Sequence, residues 1–397
     1  MKVDFAYSCG WNRFLLNLSG FWPKRRSSFV GTHWPLINAI LVLVVIIIPR
    51  FAAMCLFWNE VDAFIQFFTT QLVFINVFFK LIVLQLGNEV LVDLLSMMEA
   101  NLSADLTKEQ YAPVLKLAKF GRTISIIVGL SAVGVVITGV VAMKLYHLDS
   151  LYIKNPDPRL SVDFFFVAYL PFDATHIISY TTVFALQLYV SVISTIINLN
   201  LDSFVMMLIL HICGEMEVVE VLLSHLGDGI EDRRGVQLEL KRIVRKHQMV
   251  CQYVKNLEKL FSIPWFLELT SCTLIFCFQG YNVLKLVRTD QFGVFQIGFI
   301  IFSTSGILTQ FFLNCWAGEC LLSRSSRIGY SFYRSKWYEL RPSETRPLLM
   351  IGFQKTRPLT LTAWKFSILS IRLFLQLIKT SFSYLSVLLV MTDFQDE

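Results

Sequence analysis

Charge is what this chain has least of. Asp, Glu, Lys and Arg make up 16% of its 397 residues, against roughly 25% in ordinary soluble domains. Set beside 55% hydrophobic and 14% aromatic residues, that scarcity excludes water as the main solvent. No apolar run lies close to Met1. Lys2, Arg13, Lys24, Arg25 and Arg26 come first, and the first long run starts near Pro35, so the first span is expected to be an uncleaved signal-anchor rather than a cleavable signal peptide. Cys9, Cys55, Cys213, Cys251, Cys272, Cys277, Cys315 and Cys320 are scattered, which gives no disulfide framework. Cys315 and Cys320 lack a second Cys/His pair, so zinc is not expected. Catalytic signatures are missing as well: there is no Gly-rich phosphate loop, no G-x-S-x-G and no H-E-x-x-H. Neither an enzyme nor a cofactor is expected. The net charge of +6 would suggest nucleic acid in a soluble protein; here its distribution matters more than its sum, and no nucleic-acid partner follows.

What the chain does have is apolar residues in blocks of about 20, each long enough to cross about 30 Å of hydrocarbon. Seven spans are expected: Pro35 to Trp58, Ala63 to Leu86, Thr123 to Tyr146, Ile177 to Leu199, Ile263 to Val287, Val294 to Trp316, and Leu361 to Met391. Lys and Arg set the orientation. They crowd the segments before span one, between two and three, between four and five, and between six and seven, whereas the other loops and the tail carry mainly Asp and Glu. The fold class is therefore an all-α membrane protein of inverted topology, with the N-terminus cytoplasmic and the C-terminus extracellular. On this orientation the sequons at Asn17 and Asn101 lie inside and stay unglycosylated.

Val236, Leu240, Ile243, His247, Val250, Val254, Leu257 and Phe261 recur at spacings of four and three, which predicts an amphipathic helix running into span five. Such cytoplasmic helical extensions can pack into an anchor domain beneath the membrane. Within the spans, Lys80 and Lys365 sit near inner ends and are expected to snorkel, and Arg50 to do so outward. In span seven, Arg372, Gln376, Lys379, Ser383, Val387, Val390 and Met391 share one side. So polar a stripe faces a water-filled conduit or another subunit. An apolar ligand pocket is expected among the outer halves of the other spans. Its candidates are Phe64, Phe67, Phe68 and Gln71; Val136, Gly139 and Met143; Tyr180, Thr181 and Phe184; and Phe299 and Phe302.

Specific motifs gather in the C-terminal third. Cys315-Trp316-Ala317-Gly318-Glu319, then Ser325, Tyr333 and Trp337-Tyr338, resemble the segment leaving the sixth helix of insect odorant receptors. Lys355 to Ala363 and Leu377 to Tyr384 resemble that family's last segment and pore helix, with further echoes at Pro171-Phe172-Asp173, Asp202-Ser203 and His247-Gln248. The resemblance implies a ligand-gated, non-selective cation channel. It further implies a heterotetramer of this variable subunit with the odorant-receptor coreceptor, opened by a small volatile odorant, in the plasma membrane of olfactory sensory neuron dendrites. The implied parts are a cytoplasmic N-terminus (1–34), a ligand-binding helix bundle (35–212), a stalk (213–262), helices five and six (263–316), an anchor segment (317–360), a pore helix (361–391) and an extracellular tail (392–397). The family's gate maps onto Val387 and Met391, with Val390 where the coreceptor has glutamine, and Ser383 and Lys379 lie on the same pore face.

A gustatory receptor of the same topology would end in a Thr-Tyr pair followed by Gln-Phe, where this chain reads Ser383-Tyr384 and continues through Val387 to Met391. A G-protein-coupled receptor would need the opposite orientation and an Asp-Arg-Tyr-like triad, and a transporter paired repeats or broken helices. The sequence offers none of these.

Overall fold

Long uninterrupted helices dominate because the apolar blocks leave the backbone no partner in hydrocarbon except itself. The computed structural model describes residues 5–25, 29–58, 61–104, 107–145, 160–161, 164–172, 176–226, 233–288, 294–353 and 356–393. Its helices are α1 (Phe5–Leu18), α2 (Phe29–Val42), α3 (Ile48–Leu56), α4 (Val61–Leu86), α5 (Asn88–Ser103), α6 (Lys108–Leu145), α7 (Ile177–Ser224), α8 (Arg233–Arg288), α9 (Val294–Arg334), α10 (Pro342–Gly352) and α11 (Ile371–Asp393). Among the described residues, six stretches are long and apolar enough to cross a membrane: Phe29–Leu56, Ala63–Leu86, Lys108–Gly139, Ile177–Ser224, Arg234–Leu286 and Ile297–Arg334. The amphipathic α11 stands beside them as the seventh. This is a multi-pass membrane protein.

The first span joins α2 to α3 through a wider π-helical turn at Leu43–Ile47. Pro49 follows it and has no amide hydrogen to donate. The Ile48 amide instead reaches back five residues to Leu43, which lets the span pass the proline without a break. α7 and α8, with 48 and 56 residues, are about 72 Å and 84 Å long. Both therefore continue well beyond the hydrocarbon as a stalk, and α8 runs through Pro264 as one element. From Asn200 to Met216 every residue of α7 is buried, because α1, α4, α6, α8 and α9 all pack against it. Ion pairs tie the stalk. Arg324 and Arg327 on α9 reach Glu217 and Glu220 on α7 at 2.6 and 3.0 Å, and Lys246 on α8 lies 2.5 Å from the buried Glu215.

The structure adds one helix to these expectations and corrects two of them. Helix α1, inside the segment read only as a cytoplasmic terminus, is packed between α6 and α7. Its Asn12 donates to Ser125 at 3.0 Å and accepts from Ser203 at 3.2 Å. The last span does not begin at Leu361. Residues Thr362–Ala363 (β3) pair antiparallel with Ser367–Ile368 (β4), and the helix starts at Ile371. Trp364 and Lys365 turn this hairpin with φ of 48° and 58°. The hairpin is pinned to α8 where Thr362 donates to Glu258 at 2.5 Å and the Trp364 amide to Ser262 at 3.0 Å. Lys365 is thus an exposed turn residue and no part of a span. Finally, Lys80 and Arg50 do not snorkel: they are 2% and 1% exposed. A second short pair, β1 (Leu160–Ser161) with β2 (Ala168–Tyr169), lies in the connection before α7.

The family-like motif after span six has a local physical meaning. A Cβ added at Gly318 would stand 2.5 Å from the Leu369 carbonyl oxygen, so only glycine lets the segment before α11 lie directly on α9. Glu319 accepts from the Ile371 amide at 3.3 Å, satisfying an otherwise orphaned donor of the first turn of α11. From there α11 buries a narrow stripe, Leu373, Leu377, Ser381 and Leu385, against α8 and α9.

Candidate ligand cavity

Five helices enclose a cavity of about 620 Å³, within the range of about 300–1,000 Å³ usual for small-molecule pockets. α4 contributes Gln66, Thr69, Thr70, Val73 and Phe74; α6 contributes Ile124, Ile127, Val128, Ser131, Val135, Val136 and Gly139. α7 lines it from Leu188 through Ser191, Thr195 and Asn198 to Asp202 and Met206, and α8 adds Ile275 and Gln279. The face of α9 runs from Phe299 and Phe302 to Gln310 and Asn314.

One wall is not helical. Phe165 and Phe166, in the chain between α6 and α7, are buried against the cavity. Gln187 fixes them by a two-sided bond, accepting from the Phe166 amide at 3.0 Å and donating to its carbonyl at 3.2 Å. The Arg50 guanidinium lies 5.0 Å from the Phe67 ring and 5.1 Å from that of Phe166, close enough for cation–π attraction. A residue expected to reach the surface instead joins α3 to the cavity wall.

The end of the cavity nearest Asp202 is polar. Lys80 on α4 stands 2.7 Å from Asp202 Oδ2 and donates to Asn198 Oδ1 at 2.9 Å. Gln310 donates to Asp202 and, at 2.8 Å, to the Asn198 carbonyl. Asn314 donates to Glu268 on α8 at 3.2 Å. This network joins four spanning helices where hydrocarbon cannot solvate charge. Lys80 alone was a signal for it, since a lysine within a span calls for a counterion, and Asp202 lies just past the end of the fourth expected span.

Of the twelve pocket residues expected, Val136, Gly139, Phe299 and Phe302 line the cavity. Phe64, Phe67 and Phe68 do not: they pack with Met54, Phe57 and Val167, on another side of α4 from Gln66, Thr70 and Val73. Gln71 is buried and donates to the Ile47 carbonyl at 3.0 Å, tying α4 to the π-helical turn. On α7 the expected residues lie too near the helix start. Tyr180 stacks between Phe164 and Phe184, Phe184 backs Phe165, and Thr181 is exposed and bonds its own helix at Ile177. The Met143 side chain falls outside the described residues. So do those of Val390 and Met391, while Lys379, Ser383 and Val387 all stand exposed along α11, with Arg372 and Gln376 on the same side.

The 7tm Odorant receptor family model matches residues 60–382. Odorant receptor 13a of Drosophila melanogaster is 27% identical over 201 residues, 47% of either chain. Odorant receptor Or2 of Anopheles gambiae is 24% identical over 217 residues, 53% of this chain and 56% of that one. The chain thus spans about half the length of the curated relatives it matches. The olfactory receptor OR5 of Machilis hrabei, solved in complex with eugenol, superposes with a TM-score of 0.79 over 98% of this chain and 100% of that one, at 14% identity, a likeness of fold. With the family match covering most of its length, this chain belongs to the insect odorant receptor family, one of receptors rather than enzymes.

Proposed function

We propose that this chain is the ligand-tuned subunit of an odorant-gated, non-selective cation channel, working with coreceptor subunits around a shared pore. The observation that carries this reading is the cavity of about 620 Å³ among α4, α6, α7, α8 and α9. It is largely apolar and large enough for a small volatile molecule, in a family whose fold relative OR5 was solved with one such compound, eugenol. The exposed polar side of α11 fits the same reading, since Arg372, Gln376, Lys379 and Ser383 need water or a neighbouring subunit. Binding opens the channel only if the cavity holds its ligand more tightly in the open state. Whole-cell currents from cells expressing the chain with and without the coreceptor, across a panel of volatiles, test this. Odorant-evoked cation current that needs this chain supports it; surface-expressed chain that leaves every response identical to that of the coreceptor alone contradicts it.

A further inference from the structure

The hydrogen bonds at the polar end of the cavity are directional, and the charges fix their sense. Lys80 can only donate, so the Asn198 group it meets at 2.9 Å is the amide oxygen. The Asp202 carboxylate, ion-paired with Lys80, accepts, so the Gln310 group facing it is the NH2 end, and Asn314 donates to Glu268 at 3.2 Å. Gln310 Oε1 and Asn314 Oδ1 are left as acceptors and Asn198 Nδ2 as a donor, all on residues lining the cavity. Ser194, 3% exposed and also lining the cavity, has a hydroxyl with no partner, as does Thr304 on α9.

An incoming group that both donates and accepts meets this set better than one that only accepts. An ether, ester or ketone can take the Asn198 amide but leaves the carbonyl oxygens unmet. An ammonium could donate but would add charge beside Lys80. We propose that this end of the cavity is a subsite for a hydroxyl head group, and that the preferred ligands are alcohols or phenols whose apolar body lies towards Phe302 and Phe166. From Gln310 to Phe302 the α9 axis advances about 12 Å, room for a medium-length chain or a ring on a short linker.

The proposal rests on the odorant-receptor reading, and its test separates the two. Cells expressing the full chain with the coreceptor are challenged with octanol, methyl octyl ether, octanal and nonane, and with phenylethanol and its methyl ether, beside a wider volatile panel. The alcohols are expected to reach half-maximal current at about tenfold lower concentration than their ethers, the scale of an unmet buried hydrogen bond. Gln310→Met should shrink that preference to within about twofold while responses to the ethers persist; Ser194→Ala, a smaller change, should reduce it in part. Equal potency of alcohols and ethers on the unaltered chain overturns the subsite and leaves the receptor reading intact. A preference undiminished in both variants also overturns it, since the selectivity then arises elsewhere. If Gln310→Met fails to reach the surface, Ser194→Ala decides. No response to any volatile from surface-expressed chain overturns the receptor reading and the subsite with it.

Discussion

At Gly318 a hydrogen in place of a side chain decides whether the segment leading into α11 can lie on α9. The Leu369 backbone lies where a Cβ would go, at 2.5 Å from its oxygen and 2.7 Å from its own Cβ, and backbone in a packed hairpin cannot move aside cheaply. Gly318→Ala should therefore cost about 1–3 kcal/mol, read as a lower Tm of the detergent-purified protein and reduced surface expression. Gly139→Ala provides the contrast. Nothing lies within 4 Å of its added Cβ, and alanine favours helix over glycine by about 1 kcal/mol, so its Tm should hold or rise. Equal loss in both would remove the close approach as the cause. The Cys315-to-Glu319 motif was legible as a family mark in the sequence. Its mechanics were not, because they depend on Leu369 and Ile371, some fifty residues on, and on a hairpin that apolar spacing cannot reveal.

Among the elements, the long paired helices α7 and α8 and the last helix α11 carry separate expectations. Glu215 is 0% exposed and Lys246 is its ion-pair partner. Lys246→Met should destabilise by about 3–5 kcal/mol, the effect of leaving a buried charge uncompensated, whereas the double change with Glu215→Met should recover most of that. Thermal unfolding of the four proteins of the cycle reads it directly; a double variant no more stable than the single one would show that the pair is not the source. On α11, Val387 is 55% exposed within one chain and stands on the side that carries Lys379 and Ser383. If it is part of a hydrophobic gate, Val387→Ser wets the constriction and should raise current in the absence of odorant. An unchanged basal current from a surface-expressed, odorant-responsive variant would take Val387 out of the gate. Helix existence was legible here because a 3.6-residue period survives in α8 and α11, each of which keeps a polar side exposed along part of its length. α1 was missed, its 14 residues being too short to mark a span. Choice of face within the spans was not legible: on α4 the stripe of Phe64, Phe67, Phe68 and Gln71 and that of Gln66, Thr70 and Val73 are both compatible with lipid, ligand or protein. On α7 the expected stripe, continued to Leu188, Ser191 and Thr195, does reach the cavity, one to three turns further along.

For the whole molecule, one cavity links a polar network spanning four helices to an aromatic wall held by Gln187 and Arg50, and this is where we propose that odorants bind. Filling that space from inside tests the claim without disturbing the frame. An added side chain at Gly139 or Gly306 meets nothing within 4 Å at its Cβ, and both residues line the cavity. Dose–response curves for a volatile panel, with surface expression measured in parallel, are taken for Gly139→Phe, Gly306→Phe and, as the outside reference, Phe68→Ala. The two filled variants are expected to lose or reorder their odorant responses, the larger ligands first, while the order of responses in Phe68→Ala stays that of the unaltered chain. Unchanged curves for every odorant in both filled variants at normal surface levels would place the binding site elsewhere.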